Sequence, residues 1–212
     1  MVQPLGYLKE SASQTAGPYV HIGCTPNFVG IEGVFEKDLG SGALYNDKAR
    51  GERISVRGTV YDGAGMPLKD ALIEIWQADT DGYYNSPSET RGKADPNFTG
   101  WGRSPGDMDT GEFIFDTIKP GKVPFRDGRW MAPHITFWIV ARGINIGLQT
   151  RMYFPEEQEA NAADPVLARV EQKSRIATLV AKKAGEKRMF EGGKAHLRLR
   201  LRSDIEKHGF AL

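Results

Sequence analysis

Alternation of apolar and polar residues, repeated in six segments, restricts the fold of this chain more than any other feature of its sequence. The segments begin at Ile54 and are separated by stretches rich in Gly, Pro, Asn and Asp. A period of two is typical of β-strands that bury one face. The segments are RISVRGTVYDG, ALIEIWQAD, GEFIFDTI, HITFWIVA, INIGLQTRMYF and AHLRLRLRSD. The pattern predicts a mainly β protein, a β-sandwich of mixed topology.

The segment HITFWIVA is apolar on both of its faces. Ile135, Phe137 and Ile139 would point one way, and Trp138 and Val140 the other. A strand without a polar face is typical of a sheet that is covered on both sides. We therefore expect this strand to be buried on both faces.

Two stretches depart from the β pattern. Residues 1–50 contain many turn-forming residues and few periodic apolar positions, which predicts an extended N-terminal arm before a sandwich domain over residues 51–212. In DPVLARVEQKSRIATLVAKKAG, Asp164 is a candidate N-cap and a proline follows it at the first helical position. This stretch predicts one peripheral α-helix from about Pro165 to Lys183.

Composition excludes several kinds of function. The 212 residues carry a net charge of +1, whereas nucleic-acid-binding domains usually show a clear basic excess. No apolar run approaches the length of a membrane span, and the first residues lack the features of a signal peptide. The single cysteine, Cys24, allows no internal disulfide. We expect a cytoplasmic protein without nucleic-acid or membrane partners.

Single residues leave the chemistry open. The four histidines, His21, His134, His196 and His208, lack the close pairing of metal ligands, and a hydrogen-bonded core histidine is favoured for His134. The stretch ADTDGYY lacks the later carboxylates of a calcium loop, which favours an ordinary loop. The turn QTAGP, which contains Thr15, either leads into a strand or closes over a neighbouring pocket.

Several blocks, taken in order, resemble the intradiol ring-cleaving dioxygenases. They are QTAGPYVHIG, RGTVYDGAGMPLKDALIEIWQAD, DPNFTGWGR, TIKPGKVPFRDG, APHI and ARGINIGLQTRMYF, and they span nearly the whole chain. The resemblance implies a β-sandwich and a ferric ion held by two tyrosines and two histidines. Phenolate oxygen suits a hard ferric ion.

Only two of the four positions that hold the ferric ion in this family keep a ligand here. The resemblance places the tyrosines at Tyr84 and Val123 and the histidines at His134 and Thr136, which we call the ligand positions. The arginine that the family places three residues before the first histidine, against the substrate ring, is replaced by Met131. One tyrosine and one histidine would bind ferric iron poorly. The resemblance therefore implies no metal ion and no catalytic residue in this chain.

Within the family, the chain resembles the non-catalytic α subunit of the two-subunit enzymes that cleave protocatechuate with O2. The resemblance implies a β subunit that carries the Fe(III), an active site at the α–β contact, and α–β pairs in a larger assembly. It also implies that Thr15, Gly17 and Pro18 form a wall of that pocket and that Arg142 adds positive charge near the substrate. The arm over residues 1–50 would then contact the β subunit.

Two other functions remain open from the sequence. One is an iron-free sandwich that serves as a binding or structural module outside any dioxygenase. The other is a homomeric iron enzyme with substitute ligands such as His21. The blocks QTAGP and ARGIN favour the subunit, since a lone module has no need of a pocket wall for a partner.

Overall fold

The computed structural model of the chain describes residues 15–17, 19–145, 147–183 and 195–202. Within them lie two short α-helices, two 3-10 helices and ten strands. The helices are α1 (Tyr19–Cys24), α2 (Gln158–Ala163) and the 3-10 helices Leu167–Arg169 and Lys173–Leu179. The strands are β1 (Arg53–Tyr61), β2 (Leu72–Trp76), β3 (Trp101–Pro105), β4 (Glu112–Ile118), β5 (Val123–Pro124), β6 (Trp130–Met131), β7 (His134–Val140), β8 (Leu148–Tyr153), β9 (Lys182–Lys183) and β10 (Ala195–Arg202).

The longer strands form two four-stranded sheets. The first has the order β4-β1-β10-β9 and the second the order β3-β2-β7-β8, while β5 and β6 form a separate hairpin. Strands β1 and β10 run parallel, and the other neighbours pair antiparallel. The prediction of a mainly β sandwich of mixed topology is confirmed.

The two sheets enclose one apolar core. The rings of Phe113 in the first sheet and Phe137 in the second have their centroids 6.0 Å apart. Val56 of β1 and Ile75 of β2 belong to the same buried cluster. Removing these side chains from water supplies the main favourable term in folding, and sheets packed face to face bury one side of each strand.

The side of the second sheet that faces away from this core, called here the outer face, carries polar and aromatic side chains. Successive residues of a strand point to opposite sides, so His134, Thr136 and Trp138 of β7 lie on the outer face. The register places Thr136 between Trp76 of β2 and Arg151 of β8. Trp138 is 41% exposed. The prediction that β7 is buried on both faces is therefore wrong at Trp138.

Strand β3 was not predicted from the sequence. Its residues, WGRSP, include Gly and Pro, which are depleted in strands. The strand lies at the edge of the second sheet and pairs only with β2, and an edge tolerates proline because one side of the strand needs no partner.

The prediction of one α-helix from Pro165 to Lys183 is wrong. Oδ1 of Asp164 accepts hydrogen bonds from the backbone N–H groups of Val166 and Leu167, as an N-cap would, but only a 3-10 turn follows. The stretch ends in extended conformation as β9, which pairs with β10. Sheet pairing uses backbone groups that a helix would have bonded internally. The peripheral α-helix is instead α2, six residues long, on the N-terminal side of this stretch.

The described part of the arm is not wholly extended, because α1 begins at Tyr19. The arm lies against the edge of the second sheet. Arg103 of β3 donates hydrogen bonds to the backbone carbonyls of Cys24 (3.1 Å, from Nη1) and Gly40 (2.8 Å, from its N–H). Residues 1–14 and Pro18 lie outside the described residues. No helix in the described ranges has the length and hydropathy needed to cross a membrane.

Candidate functional site

The loop that carries Tyr84, the first ligand position, is organised by the buried carboxylate of Asp79. Its Oδ1 accepts hydrogen bonds from the backbone N–H groups of Asp81 (3.0 Å) and Tyr83 (2.9 Å), and its Oδ2 accepts one from Asp95 (2.8 Å). These three hydrogen bonds hold the backbone of Asp81, Tyr83 and Asp95 around one carboxylate. Asp79 therefore shapes the loop, in agreement with an ordinary loop at ADTDGYY.

Gly82 brings this loop against the second ligand position. The φ angle of Gly82 is +84°, and a Cβ atom added there would lie 2.1 Å from the carbonyl oxygen of Lys122. Only glycine fits both the left-handed conformation and the close approach. The loop of Tyr84 and the backbone next to Val123 are thus held together.

The ring of Tyr84 packs against the outer face. It stacks on Trp76, with centroids 5.8 Å apart and planes 11° from parallel, and the Tyr84 backbone N–H donates to Glu89 (3.1 Å). Burial raises the pKa of the Tyr84 phenol, while the positive charges of Arg151 and Arg91 act in the opposite direction. The phenol is therefore protonated at neutral pH, whereas a ferric ligand would be ionised.

His134, the third ligand position, is a buried and neutral core histidine. It is 3% exposed, and its Nδ1 lies 2.7 Å from the carbonyl oxygen of Ala132. A carbonyl oxygen only accepts, so Nδ1 carries the proton and Nε2 is the acceptor. Burial, together with the charge of Arg151, lowers the pKa of His134 to about 4. Nε2 is buried without a hydrogen-bond partner among the described residues.

The remaining ligand positions do not supply the donors that a ferric ion requires. Val123 is buried, pairs with Met131 in the hairpin of β5 and β6, and has no donor atom in its side chain. Thr136 offers a hydroxyl where the family has an imidazole. No group of three or more His, Cys, Asp or Glu side chains converges within the described residues. The residues present therefore do not fit the implied ferric ion.

A second candidate region joins the turn after β7 to the arm. The hydroxyl of Thr15 donates to the carbonyl of Ala141 (3.2 Å) and accepts from the backbone N–H of Gly143 (2.9 Å). Thr15 also forms an antiparallel bridge with Asn145. These contacts fix the turn that presents Arg142. Two residues expected in the same pocket wall, Thr15 and Arg142, thus lie next to each other in the fold.

Arg142 borders a cleft of about 280 Å³. Its side chain is 74% exposed, and its Nε lies 3.3 Å from Oδ2 of Asp70. This contact leaves the two Nη groups of the guanidinium unoccupied by Asp70, and Nη groups can bind a carboxylate in a bidentate manner. Lys69 adds a second positive charge to the cleft. The arrangement suits a small anionic ligand.

The other residues singled out from the sequence have less defined roles here. Gly17 has no heavy atom within 4 Å of the position that a Cβ would take, so the turn is open on that side. His21, considered as a substitute metal ligand, is buried, and its Nε2 lies 3.0 Å from the carbonyl oxygen of Asp70. His21 thus supports the wall of the Arg142 cleft.

Three residues singled out from the sequence cannot be assigned a place in a site. Pro18 and His208 lie outside the described residues, and so does the side chain of His196.

The two candidate regions lie at opposite ends of β7. His134 begins the strand and Arg142 follows its last residue, Val140, closely. At a rise of about 3.3 Å per residue, extended chain puts about 25 Å between them. The Arg142 cleft therefore cannot line a pocket centred on the ligand positions of the same chain.

Sequence reasoning missed Arg151, which lies among the ligand positions. Alternation along β8 already separates Arg151 from Met152 and indicates the outer face for it. That Arg151 lies near His134 depends on the register between β7 and β8, which a single sequence does not reveal.

Comparison with known proteins agrees with this architecture. A family model described as "Dioxygenase" matches residues 25–195. The chain is 42% identical over 180 residues to the protocatechuate 3,4-dioxygenase alpha chain of Pseudomonas putida, covering 85% of this chain and 87% of that protein. It is 37% identical over 139 residues to the protocatechuate 3,4-dioxygenase beta chain of Burkholderia cepacia, covering 64% and 56%. The structure of catechol 1,2-dioxygenase from Acinetobacter sp. ADP1 shares the fold, with a TM-score of 0.58 at 21% identity over 82% of this chain and 64% of that chain.

Proposed function

The chain belongs to the intradiol ring-cleaving dioxygenases, among the protocatechuate 3,4-dioxygenase alpha chains, and from this premise we propose the role of its own residues. The chain is the non-catalytic subunit of an enzyme that opens the ring of protocatechuate between its two hydroxyl-bearing carbons. Both atoms of O2 enter the product, 3-carboxy-cis,cis-muconate, so no further reductant is needed. The Fe(III) that activates the ring belongs to the β subunit, and this chain supplies part of the pocket at the α–β contact.

The observation that carries the proposal is the distance between the two candidate regions. Thr15 and Arg142, the proposed pocket-wall residues, are held together by hydrogen bonds but lie about 25 Å from the ligand positions of this chain by the rise of an extended strand. Pocket-wall residues this far from the ligand positions of their own chain can line an active site only if another subunit contributes the metal centre. The match to both alpha and beta chains supports such a pair.

The arm offers a surface for that partner. Among the described residues, large apolar side chains are exposed on the arm at Tyr19, Ile22, Phe28, Ile31, Val34, Phe35 and Leu39. Several exposed large apolar side chains within one segment are typical of an interface when they form a patch. We assign residues 1–50 to contact with the β subunit, as α–β pairs within a larger assembly. Cys24 is a free thiol, which suits a reducing compartment, and we place the assembly in the cytoplasm.

In this role Arg142 binds the carboxylate of protocatechuate. A charge-assisted hydrogen bond of this kind contributes about 1.5–3 kcal/mol, so Arg142→Ala should raise KM about 10- to 100-fold. The iron content of the α–β complex should stay the same, because Arg142 would contact the carboxylate of the substrate and not the metal. Steady-state O2 uptake by the purified complex measures the effect.

Two controls make this experiment specific. Catechol lacks the carboxylate, so any turnover of catechol should lose much less than turnover of protocatechuate. Lys93→Ala removes an exposed charge outside the cleft and should leave KM unchanged. An Arg142→Ala complex with the wild-type KM for protocatechuate would show that Arg142 does not bind the substrate.

A further inference from the structure

Arg151 lies among the ligand positions. It lies directly opposite Thr136 in the pairing of β7 and β8. Its Nη1 is 3.4 Å from Sδ of Met131, and the backbone of Met131 pairs with Val123. The guanidinium is close enough to Tyr84 and His134 for its charge to act on both. Tyr84, His134 and Thr136 are thus linked to Arg151 by its field or by a backbone pair, and Val123 is linked to it only through Met131.

Among the described residues Arg151 has no salt-bridge partner, although the carboxylate of Asp164 opposes its charge at His134. It takes part in none of the ion pairs among the described residues. Asp164, whose charge also acts on His134, is engaged by the backbone N–H groups of Ala132, Val166 and Leu167. Arg151 is half-buried, so water screens its field less than at an exposed site.

We propose that the guanidinium of Arg151 takes the place of a metal ion among the ligand positions and excludes metal ions from them. A metal ion held by His134 and by a ligand at position 136 would meet a fixed positive charge, and the repulsion would weaken its binding. The inference rests on the proposed non-catalytic role of the chain. It differs from simple loss of ligands, because on that account restoring a ligand would be enough to restore metal binding.

The test restores a ligand and then changes the charge at position 151. Thr136→His recreates a His-x-His pair with His134 on the same strand. The two variants to compare are T136H/R151Q, which is neutral at position 151, and T136H/R151K, which keeps the positive charge but lacks the planar guanidinium group. Co²⁺ is the probe, since its visible absorption reports coordination by the protein, and thermal unfolding checks that each variant is folded.

The proposal predicts that T136H/R151Q binds Co²⁺ about tenfold or more tightly than T136H and T136H/R151K. Adding His134→Ala to T136H/R151Q should abolish the gain, which places the ion at this site. Equal Co²⁺ affinity of T136H/R151Q and T136H/R151K would overturn the proposal. If histidine is not accommodated at position 136, the same pair of Arg151 substitutions in Thr136→Asp repeats the test with a side chain close to threonine in size.

A measurement on the unmodified chain separates this inference from the proposed function. Iron bound to the wild-type chain, with Arg151 in place, would contradict both. An iron-free wild-type chain together with tight Co²⁺ binding by T136H alone would contradict only the exclusion by Arg151, and would leave the non-catalytic role intact.

Discussion

His134 is the residue whose ionisation should most affect the stability of this chain. Its pKa is lowered to about 4, against an ordinary value of 6.5, mainly because the imidazole is buried. At pH values between about 4 and 6.5, His134 is protonated in the unfolded chain but stays neutral in the folded chain. Stability is therefore fully present above about pH 6.5 and falls as the pH drops toward 4.

The expected loss is about 2 kcal/mol in the free energy of unfolding between pH 8 and pH 5, since each unit of pKa difference corresponds to about 1.4 kcal/mol. Urea unfolding of the chain at the two pH values measures it. His134→Asn is the control, because its amide can still donate to the carbonyl of Ala132 but does not titrate. The same loss in both proteins would show that His134 is not the group responsible.

The sequence predicted that His134 is a hydrogen-bonded core residue, but it did not predict that Arg151 lies near it. A lone histidine at the start of an apolar strand indicated a hydrogen-bonded core residue, and the structure confirms this. The substitutions at Val123 and Thr136 were also visible once the resemblance supplied the ligand positions. Arg151 was not recognised, because its proximity to His134 arises from the pairing of two strands and leaves no local signal.

At the scale of elements, the loop from Asp79 to Tyr84 depends on one carboxylate. Asp79→Ala removes the acceptor for three backbone N–H groups, two of them in this loop. Buried donors without a partner cost about 1–3 kcal/mol each, less where water can reach them. We expect Asp79→Ala to lower the free energy of unfolding by about 2–4 kcal/mol.

Two further variants are compared with Asp79→Ala by measuring the free energy of unfolding in urea. Asp79→Asn keeps one acceptor oxygen and should lose less than Asp79→Ala. Asp109→Ala changes an exposed turn and should stay within about 0.5 kcal/mol of wild type. The account of the loop fails if Asp79→Ala is no less stable than Asp109→Ala.

The stretch from Pro165 to Lys183 shows where element prediction fails and why. Asp164 and the following proline form a genuine helix-start signal, and Asp164 does bond the next backbone N–H groups. The third acceptor bond of this carboxylate goes to the N–H of Ala132, next to β7, which ties the turn to the second sheet. Local propensity is a weak prior, and tertiary contacts overrode it here.

For the whole molecule, six alternating segments were enough to predict the sandwich, because a strand with one apolar face must bury it against another layer. They could not reveal the parallel pairing of β1 with β10, since alternation does not determine which strands are neighbours. The pocket wall is implied by the resemblance and stays a prediction, to which the structure adds the hydrogen bonds of Thr15 to the turn that carries Arg142. The boundary at residue 50 and the role of the arm remain predictions.

The molecule as a whole has the features of one half of a site. Its own ligand positions hold a protonated phenol, a neutral imidazole, a valine and a threonine around a fixed positive charge. The cleft that Arg142 borders lies at the other end of the sheet, beside an arm with exposed apolar side chains. We propose that this chain supplies binding and charge, and that its partner supplies the reacting metal.

The measurement that tests this account most directly is iron content together with protocatechuate-dependent O2 uptake, on the chain alone and on the chain co-expressed with its β subunit. We predict that the chain alone is colourless, free of iron and inactive. The complex should contain iron, show the visible absorption of a ferric phenolate, and consume O2 only when protocatechuate is added. Iron and turnover in the chain alone would contradict the account, because they would mean that this chain completes a metal site by itself.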